Sequence, residues 1–198
     1  MNGIYIFIIS GFIYADALVV DDKTGLKNIV MTKTTYKTYL VKSLIFNFII
    51  AGIFAILPSL INLILWFAVR PNVPLVHFNI MNMAQSDLFV DIFLKSKVLF
   101  FFLHFLKIFF LSGIIASFAI FINTKFNNRY LGLMVTYIID TIIAVSAGFL
   151  PTNFQYSFFA VFYSIIKPDF MTLLVGLVFL LPSLIYFIKL AKRGGKYD

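Results

Sequence analysis

An uncharged, mostly apolar segment of 26 residues, residues 44–69, constrains this chain more than any other feature of its sequence. About 20 residues at a helical rise of 1.5 Å already cover the roughly 30 Å hydrocarbon core of a bilayer. The segment is therefore long enough to cross a membrane as one tilted helix, and Arg70 and Pro71 end it. We therefore expect a lipid bilayer to surround part of this chain.

The composition extends this expectation to all 198 residues. Hydrophobic residues make up 62% of the chain and charged residues 12%, whereas a soluble globular domain has roughly 45–50% and about 25%. These values exclude a disordered chain, and the absence of cysteine excludes a disulfide-rich scaffold. The net charge of +8 would suggest nucleic acid in a soluble protein. Here no nucleic-acid partner is expected, because most basic residues fall in loops between apolar segments.

Five apolar segments predict an all-α, polytopic membrane helix bundle in a single transmembrane domain. The predicted spans are residues 4–20, 44–69, 98–122, 130–150 and 170–188. One side of the membrane is expected to hold a loop over residues 21–43, and the other side loops over residues 70–97 and 151–169. The first of these two loops contains an amphipathic pattern over residues 86–95, which predicts an external helix at the membrane surface. The second contains the apolar stretch 158–166, which is too short to cross and predicts a re-entrant or interfacial half-helix.

The basic residues set the expected orientation. Of the 16 Lys and Arg residues, 11 fall in the loop 21–43, in the turn 123–129 and in the tail after residue 188. Because cytoplasmic loops carry the excess of Lys and Arg, these segments are expected inside the cell. The C-terminus is then cytoplasmic, and five spans place the N-terminus outside.

The loop 21–43 contains a short amphipathic pattern. Leu26, Ile29 and Val30 recur at the helical spacing i, i+3 and i+4, and Gly25 precedes them as a start or a bend. Five lysines in the same loop are typical of a segment that lies on anionic lipid. The residues alone leave two interpretations open, a helix anchored to lipid and a surface that docks a partner protein.

Residues that could carry chemistry are few. The acidic residues are eight scattered aspartates, and neither histidine has a second ligand at metal-binding spacing, so the sequence predicts no catalytic or metal site. Lys107 and Asp140 are each expected about ten residues, roughly 15 Å, below the outer end of a span. Either charge alone would be costly in hydrocarbon. We therefore predict a buried Lys107–Asp140 ion pair, which either fixes helix packing or lines a transport path.

The order of elements around the first loop resembles that of ABC-2 type transporter permeases. The likeness is carried by the neighbourhood of Gly25, by Tyr39 and Lys42 at the start of the next span, and by the apolar stretch 158–166 between the last two spans. It covers nearly the whole chain in topology. The resemblance implies a coupling helix that docks on an ATPase subunit and is formed by Gly25, Leu26, Lys27, Ile29, Val30, Met31 and Lys33.

The resemblance also implies a function and its partners. The chain would be the permease subunit of an ATP-driven transporter in a bacterial plasma membrane, exporting a peptide, a lipid-like molecule or another amphipathic cargo. It would bind an ATPase subunit, a second permease subunit and membrane lipid. It would be no enzyme and hold no cofactor, because ATP would bind to the partner chain. The family has six spans, so this chain is expected to lack the family's first transmembrane helix.

Two other functions fit the same composition. One is a non-transporting membrane interaction protein, such as a bacteriocin-type immunity factor, whose loop 21–43 is only a lipid anchor. The other is a secondary transporter with Asp140 as its ion site, which is disfavoured because the sequence contains no evident inverted repeat. An ATPase that co-purifies with the chain would distinguish a permease from the first of these.

Overall fold

The computed structural model describes residues 14–69, 96–148 and 170–194, and within these ranges the chain forms helices and no strand. The all-α prediction is thus confirmed for the described residues. Their six helices are α1 (Ala17–Thr24), α2 (Leu26–Met31), α3 (Tyr36–Val69), α4 (Lys97–Phe126), α5 (Leu131–Gly148) and α6 (Phe170–Gly194).

Two of these helices are long and apolar enough to cross a membrane, over Tyr36–Leu65 in α3 and Phe101–Phe126 in α4. Helix α3 begins before the predicted span 44–69, because its amphipathic first turns continue into the apolar segment. The Thr35 hydroxyl caps this start and accepts a hydrogen bond from the backbone N–H of Thr38 at 3.4 Å.

Two further predicted spans are also helices in the structure. Those over residues 130–150 and 170–188 coincide closely with helices α5 and α6, and whether these helices cross a membrane stays a prediction. The predicted surface helices of the loops 70–97 and 151–169 lie outside the described residues.

The predicted span 4–20 is broken near its end. Tyr14 has a φ of +64°, and helix α1 begins only after a turn, at Ala17. The backbone oxygen of Asp16 accepts hydrogen bonds from the N–H groups of Val19 and Val20, so Asp16 starts a new helix instead of continuing an earlier one. Residues 4–13 of the predicted span lie outside the described residues.

Helix α4 is the centre of the described bundle. It packs against α1, α3, α5 and α6, whereas α3 packs mainly against α4. In the most apolar stretch of each helix, 61% of the α4 residues and 17% of the α3 residues are buried. One face of α3 is therefore covered by protein, and the rest is left for another apolar surface.

The contact between α3 and α4, here called the α3–α4 seam, is built from glycines facing aromatic rings. A Cβ at Gly52 would strike the ring of Phe109, and a Cβ at Gly113 would strike the ring of Phe48. Between these sites the hydroxyl of Ser112 donates a hydrogen bond to a backbone oxygen of α3 at 3.3 Å. Small residues allow the two backbones to approach closely, as in membrane helix pairs.

Helices α4 and α5 form a hairpin that is fastened by one amide side chain. Asn123 is fully buried, donates a hydrogen bond to the backbone oxygen of Ala15 at 2.9 Å and accepts one from the N–H of Gly132 at 2.6 Å. The N–H of Gly132 is in the first turn of α5, where it has no acceptor within its own helix. A Cβ at Gly132 would strike the backbone oxygen of Ala119, so Gly132 lies level with residues 119–123 of α4.

Candidate functional site

The segments with the excess of basic residues meet at one end of the bundle, here called the basic end. It consists of α1, α2, the first turns of α3 and the last turns of α4 and α6. These elements enclose a cavity of about 260 Å³ whose wall includes Asp22, Lys27, Tyr36, Asn127 and Tyr186. Exposed lysines on these same segments are Lys23, Lys33, Lys37, Lys125, Lys189 and Lys192.

Gly25 forms the bend between α1 and α2. Its φ of +75° lies in the left-handed region, where it ends α1 and starts α2, as the sequence predicts. Its backbone oxygen accepts a hydrogen bond from the N–H of Asn28 at 3.0 Å. A Cβ at this position would meet no atom within 4 Å, so the requirement for glycine comes from the backbone conformation and not from crowding.

Two polar contacts hold this bend against the bundle. The Tyr39 hydroxyl donates a hydrogen bond to the Asp21 carboxylate at 2.6 Å, which ties α1 to α3. The Lys27 ammonium lies 2.7 Å from the Asp22 carboxylate and 5.5 Å from the centre of the Tyr36 ring. The hydrogen bond to Asp22 raises the pKa of Lys27 above its usual 10.5.

Helix α2 presents apolar side chains outward. Leu26 is 47% exposed and Ile29 is 66% exposed, while Val30 packs against the core of the bundle. Met31, the last residue of α2, is half-buried, and Lys33 is exposed just beyond the helix. The predicted coupling-helix residues therefore divide into an attached side and an outward face, here defined as Leu26 and Ile29.

The exposed apolar side chains of α2 are typical of a binding surface. Across the described residues, no three His, Cys, Asp or Glu side chains come together as metal ligands. The outward face of α2 is apolar, and the exposed Lys23 and Lys33 lie just before and just after this helix in the sequence. A partner protein that is complementary to this face would have an apolar groove with acidic residues at its rim. An anionic lipid bilayer would instead contact the same face as a flat surface.

The register of the α4–α5 hairpin indicates how the backbones of Lys107 and Asp140 lie relative to each other. Asp140 is eight residues beyond Gly132 in α5, about 12 Å along an antiparallel helix, which brings it level with residues 111–115 of α4. Lys107, which is half-buried, lies one to two turns further along α4, roughly 6–12 Å away. The side chain of Asp140 lies outside what the structure describes. The ion pair stays a prediction, and it requires Lys107 to extend along α4.

The contacts of several residues at the basic end cannot be predicted from the sequence. The Asp21–Tyr39 hydrogen bond and the Asn123 contacts join residues far apart in the chain, and only tertiary packing brings them together. Ser43 and Asn47 are a second case. Both are buried on one face of α3, and their side chains have no hydrogen-bond partner among the described residues. A polar side chain inside the apolar segment 44–69 is the signal that could have identified Asn47, whereas Ser43 falls in the predicted loop 21–43.

Comparisons with protein-family models, with curated proteins and with solved structures found no match to this chain. Any assignment of function therefore depends on the sequence features and on the geometry of the basic end.

Proposed function

We propose that this chain is the permease subunit of an ABC-2 type transporter and that α2 is its coupling helix. The observation that carries the proposal is the outward face of α2, two exposed apolar side chains at the end of the bundle where the basic segments meet. A multi-pass chain with five spans in a bacterial plasma membrane would place this end in the cytoplasm, together with the C-terminus.

The contacts around α2 support a mechanical role. Val30 packs against the core, Lys27 pairs with Asp22 in α1, and Tyr39 joins α1 to α3. A partner that pushes on Leu26 and Ile29 would therefore displace α1 and α3 together. In this mechanism two permease subunits form a dimer, and the closure of two ATPase subunits on ATP moves the bundles between inward-open and outward-open states.

The permease itself would do no covalent chemistry. ATP would bind to the partner chain, and the cargo would be a peptide, a lipid-like molecule or another amphipathic compound moved out of the cell. The many exposed aliphatic and aromatic side chains on α3 and α5 suit an apolar environment for these helices. Lys107 and Asp140, if paired, would fix the packing of α4 and α5 or line the path.

Co-expression with an ATPase encoded beside this chain tests the proposal. The full chain is purified with an affinity tag, and the partner is identified by mass spectrometry and by its ATP hydrolysis. Leu26→Asp and Ile29→Asp are each expected to abolish co-purification, because a buried unpaired carboxylate would be costly in a protein interface. Asn28→Asp makes a similar charge change at an exposed position of the same helix and should retain the partner.

Each variant must keep the melting temperature of the parent chain, which separates loss of docking from loss of fold. If Leu26→Asp and Ile29→Asp retain the ATPase as Asn28→Asp does, α2 is not the coupling helix. If no ATPase co-purifies with the parent chain, the alternative of a non-transporting membrane protein, such as an immunity factor anchored to lipid through α2, is favoured.

A further inference from the structure

A second cavity opens at the basic end on the side of α3 that faces away from α4. Its volume is about 590 Å³, and its wall combines Asp21 of α1, Val30 of α2, and Lys42 and Ser43 of α3. Below these polar groups the wall continues along the apolar side chains Ile45, Phe46 and Ile49. The cavity thus has a polar top and an apolar side that runs down a helix able to cross a membrane.

The polar top of the cavity includes the hydroxyl of Ser43, whose hydrogen bonding is incomplete. Its side chain is 8% exposed, and its hydroxyl has no hydrogen-bond partner in the part of the chain that the structure describes. A buried hydroxyl without a partner is unfavourable by the desolvation of that group, so such groups are uncommon unless a water or a ligand completes them. Lys42, beside it, is exposed and supplies a positive charge to the same cavity.

We propose that this cavity binds a phospholipid with an ethanolamine headgroup. The lipid phosphate accepts hydrogen bonds from the Lys42 ammonium and the Ser43 hydroxyl, and one acyl chain lies along Ile45, Phe46 and Ile49. These three side chains are 54%, 49% and 42% exposed and offer apolar surface to the chain beside the Tyr14 ring, which contacts Phe46 edge to face. The lipid places a tail in hydrocarbon and a headgroup at the level of the first turns of α3.

The choice of headgroup follows from the two charges in the cavity wall. Lys42 matches a phosphate, and Asp21, with one oxygen already accepting from Tyr39, has a second oxygen for the lipid ammonium. An ethanolamine ammonium donates three N–H bonds, whereas a choline has none to donate. A glycerol headgroup would leave Asp21 facing a net negative lipid. The pair of opposite charges therefore favours ethanolamine over choline and glycerol.

Lipid binding to the full chain in detergent tests the proposal by native mass spectrometry, with phosphatidylethanolamine, phosphatidylcholine and phosphatidylglycerol of identical acyl chains. We expect one ethanolamine lipid per chain, retained over the choline lipid. Lys42→Gln should weaken its binding about tenfold. Lys37→Gln, which removes an exposed lysine of α3 outside the cavity wall, should leave binding unchanged. Asp21→Asn, which keeps an acceptor for Tyr39, should abolish the preference for ethanolamine over choline.

Ser43→Ala supplies a second readout. In lipid-free detergent this substitution should leave the melting temperature unchanged or raise it, because it removes an unpartnered hydroxyl. The increase in melting temperature on adding ethanolamine lipid should be smaller than for the parent chain. Equal effects of Lys42→Gln and Lys37→Gln, or equal retention of all three lipids by the parent chain, would overturn the proposal. It rests on the membrane placement of α3 proposed above and not on an ATPase partner, so failure of the docking test would leave it standing.

Discussion

The α3–α4 seam and the basic end are held together by different means. At the seam, glycines admit the rings of Phe48 and Phe109, and the Ser112 hydroxyl bonds a backbone oxygen across the contact. At the basic end, α2 has no buried residue, and its contacts include the Lys27–Asp22 ion pair, the Lys27 ammonium over the Tyr36 ring and the packing of Val30.

This difference separates a tightly packed part of the molecule from a loosely attached part. Close packing forces any change of volume at the seam to be absorbed by two helix backbones. Exposed ion pairs and short helices contribute little free energy, so changes around α2 should cost the bundle little stability. The comparison predicts that stability falls strongly for changes at the seam and weakly for changes around α2.

The largest effect is expected for Gly113→Val. The added side chain would collide with the Phe48 ring, and we expect a loss of about 3 kcal/mol in stability, since overpacking forces a backbone shift. The loss of stability is measured by heating the protein in detergent and following the folded fraction by size-exclusion chromatography. Ala68→Val, which adds comparable volume at an exposed position of α3, is the control and should have little effect. A Gly113→Val chain as stable as the control would show that the seam tolerates repacking.

The next effect concerns the hairpin that connects the seam to the basic end. Asn123→Ala would remove two buried hydrogen bonds and leave the N–H of Gly132 without its acceptor, which is expected to cost about 2–3 kcal/mol. Asn128→Ala in the same turn removes one exposed hydrogen bond, which the N–H of Tyr130 donates to the Asn128 side-chain oxygen, and should cost about 0.5–1 kcal/mol. Equal melting temperatures of the two variants would contradict the role given to Asn123.

The sequence predicts helices better than it predicts their register. Apolar length predicts the helical segments of α3 and α4, and glycine before a helical pattern predicts the bend at Gly25, because these are local properties. The common depth of Lys107 and Asp140 was inferred from the outer ends of two spans. The register of α4 and α5 is instead set at their turn, by the contact of Gly132, which no periodicity reveals.

The same limit applies to the candidate site. The outward face of α2 includes two of the three apolar residues in the amphipathic pattern, whereas Val30 turns toward the core. A six-residue helix is too short for its periodicity to state which side is covered. The hydrogen bond between Asp21 and Tyr39 depends on how α1 folds back on α3, which is a tertiary property.

A smaller effect is expected for Tyr39→Phe. It would remove the hydroxyl that bonds Asp21 and weaken the tie between α1 and α3 by about 1 kcal/mol, while the ring keeps its packing. Tyr36→Phe keeps the ring beneath Lys27 and is the matched control, with a smaller expected change. Both are measured by melting temperature. A loss for Tyr39→Phe as large as that for Gly113→Val would place the basic end among the rigid parts of the molecule.

The smallest effect is expected for the Lys27–Asp22 pair, whose side chains are 30% and 54% exposed. A double-mutant cycle with Lys27→Met and Asp22→Asn should give a coupling of about 0.5 kcal/mol at low salt, falling toward zero at 1 M salt, where the screening length is about 3 Å. The raised pKa of Lys27 means that the contribution is complete below pH 10.5 and is lost as the pH rises through that higher value. Lys33→Met, at an exposed lysine beyond α2, is the control, because it measures the change in stability when a lysine charge outside the pair is removed. A salt-insensitive coupling of several kcal/mol would mean that α2 is fixed to the bundle as firmly as α3 is fixed to α4, and would contradict the difference between the basic end and the seam.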